Sequence, residues 1–158
     1  MFHRWAALLL VLALCAMSPK TAAGQSQQAP REQGAKGRLG QNHPNPLNPD
    51  TFIPFGVADD VCTDGSQQHV VSLKLYNVLG QPVATPILYS AGRTSTTSIP
   101  SGLGGASLSN LRLGCGLYEA FWIGKFDGSG KQAPSGTYLV RLFVDNKVAA
   151  TTKIFVSK

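Results

Sequence analysis

Apolar and polar side chains alternate through Val70–Asn77, VVSLKLYN. Val71, Leu73 and Leu75 fall on one face of an extended chain, and Ser72, Lys74 and Tyr76 on the other. The same period of two runs through Gly136–Val144, GTYLVRLFV, where Tyr138, Val140, Leu142 and Val144 share a face. Thr51–Val57, Val83–Leu88 (interrupted by Pro86), Leu117–Trp122 and Lys147–Ser157 read as further strands, with Ile154 and Val156 inward. A short strand fits Leu111–Leu113 inside the long Gly/Ser-rich insert 90–116. Leu79-Gly80-Gln81-Pro82, residues 125–135 and Asp145-Asn146 carry turn chemistry. Pro54 lacks a backbone donor, so its strand is expected at an edge or at a bulge. No long helical period follows the first 24 residues. Six to seven short strands separated by turns predict an all-β, antiparallel β-sandwich, and roughly 115 ordered residues are enough for a two-layer core.

The chain opens differently. His3 and Arg4 precede an uncharged apolar run, Trp5–Met17, and Thr21-Ala22-Ala23-Gly24 supplies small residues. This is the layout of a secretory signal peptide over residues 1–24, too short to span a bilayer comfortably. The competing reading is a buried N-terminal helix. Leu12-Ala13-Leu14-Cys15 matches a lipoprotein signal poorly, because Leu14 stands where a small residue belongs. Residues 25–40, QSQQAPREQGAKGRLG, hold almost no large apolar side chains and read as a flexible polar tether, with the folded domain spanning 41–158. No later stretch is long and apolar enough for a membrane span. The expected location is beyond the inner membrane, in the periplasm, on the cell surface or outside the cell.

Charge and cysteine content narrow the picture further. Losing Arg4 and Lys20 from 14 basic residues leaves 12 against 8 acidic ones, a net +4. No basic stripe with interleaved aromatics stands out in the sequence, so nucleic acid is not an expected partner. Of three cysteines, Cys62 and Cys115 remain. In an oxidising compartment they most simply form one disulfide. Closing their loop of about 53 residues would stabilise the fold by roughly 4 kcal/mol. Two independent thiols are the alternative.

Residues 42–55, NHPNPLNPDTFIPF, crowd four prolines and three asparagines ahead of the first long strand. Proline fixes its own φ and pushes the preceding residue toward extended geometry. A stiff, extended lead-in is therefore expected.

Asn42-His43-Pro44-Asn45-Pro46-Leu47-Asn48-Pro49 resembles the N-Y-P-N-P-F-N-P opening of the C-terminal sorting domains of the type IX secretion system, which are similar to the Ig-like domain of the flagellar hook-capping scaffold protein. Val71–Gly80 resembles the family's VSLKVYDVLG, Pro134–Leu142 its ASGVYFYRL, and Lys153–Lys158 its closing RKMVLLK. The resemblance covers residues 41–158. It departs at Trp122-Ile123-Gly124-Lys125-Phe126-Asp127-Gly128, where the family often has W-D-G-x-D, and in longer segments around Cys62 and at 90–116. It implies an Ig-like or fibronectin III-like sandwich recognised by a secretion apparatus or cell-envelope protein. Asn45, Pro46, Asn48, Pro49 and Lys158 are the expected recognition residues. A structural assembly module like the hook-capping domain is the second reading.

Catalytic chemistry is thin. His43 and His69 lie far apart with no partner at ligand spacing, and are expected to face solvent. There is no G-x-S-x-G elbow. Cys115, between Gly114 and Gly116, reads as half of a bridge rather than a nucleophile. Asp59, Asp60 and Asp64 share one loop, and Asp127 lies in another, without EF-hand spacing. Ser101–Gly105 lacks the lysine of a phosphate loop. Tyr76, Tyr118, Trp122, Phe126, Tyr138 and Phe143 read as core or strand-pair residues. The expectation is a non-enzymatic module with no cofactor and no metal.

Overall fold

The computed structural model describes residues 37–57, 67–89 and 102–158. These residues form nine strands and no helix: β1 (Gly37–Leu39), β2 (Thr51–Val57), β3 (Gln68–Tyr76), β4 (Pro82–Ala84), β5 (Ile87–Leu88), β6 (Leu111–Gly114), β7 (Gly116–Trp122), β8 (Gly136–Val144) and β9 (Lys147–Val156). One antiparallel sheet has the order β1-β2-β7-β5. The second has the order β4-β3-β8-β9, and β6 also pairs with β3. Val71 pairs with Val144 of β8 and with Leu111 of β6, so β6 lies on the edge of β3 opposite β8.

The two sheets share one core, and the alternation in sequence decides which side chains fill it. Val71, Leu73 and Leu75 of β3 are wholly buried, as are Val140 and Leu142 of β8, and Tyr138, Val144, Ile154 and Val156 are buried beside them. From the first sheet come Ile53, Phe55 and Val57 of β2 and Tyr118, Ala120 and Trp122 of β7. The polar ends of the core aromatics are satisfied locally, as buried Tyr and Trp require. Tyr118 donates to the Gly114 carbonyl (2.9 Å), Trp122 Nε1 to Lys125 O (2.8 Å) and Tyr138 to Pro134 O (3.1 Å).

Several expectations need correcting. The strands number nine rather than six or seven. β1 lies within the stretch expected as a tether and pairs Gly37–Leu39 with Val57–Phe55. The single piece expected over Val83–Leu88 is two strands in different sheets, because Thr85-Pro86 carries the chain across between them. Pro54 sits in an interior strand rather than at an edge, and its pairing with β7 is unbroken. On its other side the register slips by one residue between Leu39↔Phe55 and His43↔Phe52, so that Gln41 and Asn42 stand opposite Ile53, as in a bulge. Phe52 N–H and C=O face His43, so by the alternation of the ladder Pro54 faces the same way, toward β1. Its carbonyl accepts from Gly40 N–H (2.8 Å), and its missing donor falls between Gly40 and His43, where the neighbouring chain bends away. His69 is buried, not solvent-facing. Its Nδ1 donates to Asp145 Oδ2 (2.9 Å), and Asp145 Oδ1 accepts from Val70 N–H (3.1 Å). Asp145 and Asn146 both have positive φ (51° and 64°), the geometry of a tight primed hairpin turn.

Cys115, between β6 and β7, is disulfide-bonded. Cys62, together with Asp59, Asp60 and Asp64, lies outside the described residues, as do residues 1–36.

Candidate docking site at the proline strap

Residues 42–50 do not form an extended lead-in. They bend repeatedly and cross from one sheet to the other. At the near end His43 bridges Phe52 of β2 in antiparallel fashion, with both backbone bonds made (3.0 and 2.9 Å). At the far end Leu47 bridges Val156 of β9 in parallel fashion: Leu47 N–H donates to Phe155 O (2.9 Å), and Ser157 N–H to Leu47 O (3.1 Å). The His43–Pro44, Asn45–Pro46 and Asn48–Pro49 peptide bonds are cis.

Four kinds of contact hold this strap. The Leu47 side chain is wholly buried and belongs to the common core. Asn42, also buried, donates from Nδ2 to Pro44 O (2.9 Å) and to Thr51 Oγ1 (3.0 Å), and the Thr51 hydroxyl donates to Pro44 O (3.1 Å). The His43 ring stacks on Phe52 (5.6 Å between centroids), and its Nε2 lies 3.0 Å from Oε1 of the buried Glu119, a contact without hydrogen-bond alignment. Finally, the Pro49 carbonyl presses on Gly124. A Cβ there would fall on that oxygen, and Gly124 has φ +68°, a conformation glycine adopts without penalty.

Between these anchors Asn45, Pro46, Asn48 and Pro49 are exposed, as is Lys158. Asn48, Pro49 and Lys158 come together in a groove of about 170 Å³, lined also by Gln132, Val156 and Ser157. Asn45 and Pro46 do not line it. Lys158 carries the one charged side chain among the lining residues, and Asn48, Gln132 and Ser157 add amide and hydroxyl groups. These groups can hydrogen-bond a ligand. The groove, and a second hollow of about 140 Å³ beside Arg38, Pro54 and Leu117, are smaller than the roughly 300–1,000 Å³ of small-molecule pockets. Among the described residues no three His, Cys, Asp or Glu side chains converge as metal ligands. Nor is any helix there long and apolar enough to cross a membrane.

Sequence reasoning missed three parts of this arrangement. Glu119 shows no signal in the strand pattern except that a carboxylate interrupts an aromatic run. Gly124 could have been suspected from the departure at Trp122-Ile123-Gly124, because a glycine after a strand end often marks a left-handed turn. A row of aromatics on the outer face of the first sheet was also unforeseen: Phe52 lies 5.0 Å from Phe121 and 4.9 Å from Tyr89. Of the aromatics expected as core or strand-pair residues, Tyr118, Trp122 and Tyr138 are in the core, and Phe126 packs against it. Tyr76 and Phe143 are half-buried on the outer side of the second sheet.

Comparison with known proteins finds no family model, no curated protein and no solved structure that matches the chain.

Proposed function

We propose that this chain is an exported, non-enzymatic Ig-like β-sandwich that serves in type IX-like sorting or attachment to the cell surface. The observation that carries the reading is the parallel pairing of Leu47 with Val156. It clamps the NHPNPLNP stretch onto the last strand and gathers Asn48, Pro49 and Lys158, expected as recognition residues from separate stretches of sequence, into one groove. Beside the groove the strap covers only the end of β9's outer edge. Upstream, Thr151 and Lys153 face the same way as Phe155, and an edge of this kind accepts a partner strand. A bridge from the disulfide-bonded Cys115 to Cys62, the pairing expected from the sequence, would fit the same reading as a staple for an exported domain.

The test fuses residues 25–158 behind a passive reporter in a type IX-competent host. The expected result is reporter outside the cell, and loss of that transport in N48A/P49A/K158A with the fold intact. Reporter held in the periplasm by the unaltered domain overturns the proposal. The half-buried aromatic row Phe52–Phe121–Tyr89 favours a second reading, an assembly module that binds repeated subunits. Crosslinking in the native cell separates the two, because a polymeric partner speaks for assembly and a translocon component for sorting.

A further inference from the structure

We propose that the end of the second sheet bearing the β3–β4 turn is a docking surface for an anionic lipid bilayer. Val78 and Leu79 are 72% and 79% exposed, the most exposed large apolar side chains among the described residues. The turn holds them out rigidly. Asn77 Oδ1 accepts from Leu79 N–H (3.0 Å) and Gln81 N–H (2.9 Å), Asn77 Nδ2 donates to Gln81 Oε1 (2.9 Å), and Gly80 N–H donates to Asn77 O (3.0 Å). An apolar pair fixed in this way cannot fold back to hide itself.

What lies behind the pair identifies the occupant. On the outer face of the same sheet Phe155, 46% exposed, stands near the same end. One row further in, Lys153 pairs across from Leu139, and beyond it Lys74 stands directly opposite Arg141. Among the described residues no carboxylate pairs with any of these three cations. Arg141 lies instead over the Tyr76 ring, 4.9 Å from its centroid. Like charges opposed across a strand pair repel, so an anionic partner relieves a cost that the fold otherwise carries. The leading edge is apolar and exposed, and the cations spread behind it over three strands. A planar, deformable anionic surface matches both features: apolar side chains enter the acyl boundary while Lys and Arg meet the headgroups. The tip residues Val78 and Leu79 belong neither to the strap nor to the lining of its groove, whereas Phe155 also accepts the Leu47 N–H through its carbonyl.

The experiment is co-sedimentation of the purified full chain with vesicles of phosphatidylglycerol and phosphatidylethanolamine, and with vesicles of phosphatidylcholine alone. V78S/L79S and K74S/R141S/K153S are compared with the unaltered chain. All share the apolar N-terminal run, so the ratios report the tip and the cations alone. Anionic vesicles should bind more tightly than neutral ones. The triple variant should lose about a hundredfold, in proportion to roughly tenfold or less per cation. The tip variant should lose about tenfold. Ile87→Ser, on the other sheet, should leave binding unchanged, and unaltered thermal melts show that each variant folds. Equal binding of the unaltered chain and V78S/L79S, or no preference for anionic vesicles, overturns the proposal. So does a chain that ignores vesicles yet retains an envelope protein through Val78 and Leu79, which would assign the surface to a protein partner.

Discussion

Leu47→Ala is the perturbation that tests the strap most directly. Leu47 is wholly buried although Asn45, Pro46, Asn48 and Pro49 around it are exposed. The substitution removes three buried carbons and leaves the backbone bonds to Phe155 and Ser157 chemically possible. At about 0.8 kcal/mol per buried methylene-sized group, transfer alone costs roughly 2.4 kcal/mol. A cavity adds to this unless the neighbours close in. Val156, the bridge partner, is 8% exposed, so the site lies at the rim of the core and can partly collapse. The expected cost is therefore about 3 kcal/mol, inside the usual range of roughly 2–5 for this truncation. In urea the unfolding midpoint should fall at unchanged m, followed by circular dichroism and by the fluorescence of Trp122, which is buried in the core. The melting temperature should drop by about 10 °C. Asn45→Ala, on the exposed part of the strap, should stay within about 0.5 kcal/mol of the parent. A Leu47→Ala cost below about 1 kcal/mol would refute the reasoning, because a strap that loses its only apolar anchor so cheaply is not part of the core.

Gly124→Ala should destabilise by at least about 2 kcal/mol, since the new Cβ meets the Pro49 carbonyl and the residue must hold a left-handed φ; an unchanged denaturation midpoint would contradict the contact. Asp145→Ala should cost roughly 2–3 kcal/mol, because it leaves His69 Nδ1 buried without an acceptor and puts alanine at positive φ, whereas Asp145→Asn should cost about 1 kcal/mol. Burial raises the Tyr118 and Tyr138 phenols above the ordinary 10.0. The folded state therefore favours their neutral form, and the stability this confers is complete below pH 10.0 and is lost as pH rises through the raised values. Y118F/Y138F should flatten that alkaline loss in denaturation curves taken across the interval.

The strands were legible because burial follows a period of two wherever both partners are long. β8 begins and ends where the alternation does, and the inward set Val71, Leu73, Leu75, Val140, Leu142 needed no tertiary information. What escaped the pattern depends on partners distant in sequence. Leu108 sits in a Ser/Gly-rich stretch with no periodicity, yet it is wholly buried: its N–H donates to Pro86 O, and its carbonyl accepts from Leu73 N–H. His69 looked like a polar strand start, and only the β8–β9 turn, 76 residues on, explains its burial. Pro54 looked like an edge marker because its missing donor is a local fact, while the identity of the chain alongside it is not. In the candidate site the residue types were legible and their grouping was not. Lys158 meets Asn48 and Pro49 only because β9 ends beside the strap.

The strap also shows where its stiffness comes from. Proline restricts a chain, but restriction alone does not fix a direction, and the expected straight lead-in was wrong. Here the direction comes from residues between the prolines. Asn42 and Thr51 close one end through buried hydrogen bonds, and Leu47 closes the other through the core and two backbone bonds to β9. Anchored and exposed positions therefore interleave over nine residues, with Asn45 and Pro46 held on one side of Leu47 and Asn48 and Pro49 on the other. A partner that binds such a segment has little chain entropy left to remove, a fraction of the ordering cost of roughly 1–2 kcal/mol per residue that a free peptide would carry. On this reasoning Leu47 contributes to binding without touching the partner. Leu47→Ala should weaken recognition even at temperatures where the variant is fully folded, whereas an equally destabilising truncation remote from the strap, such as Leu113→Ala, should not.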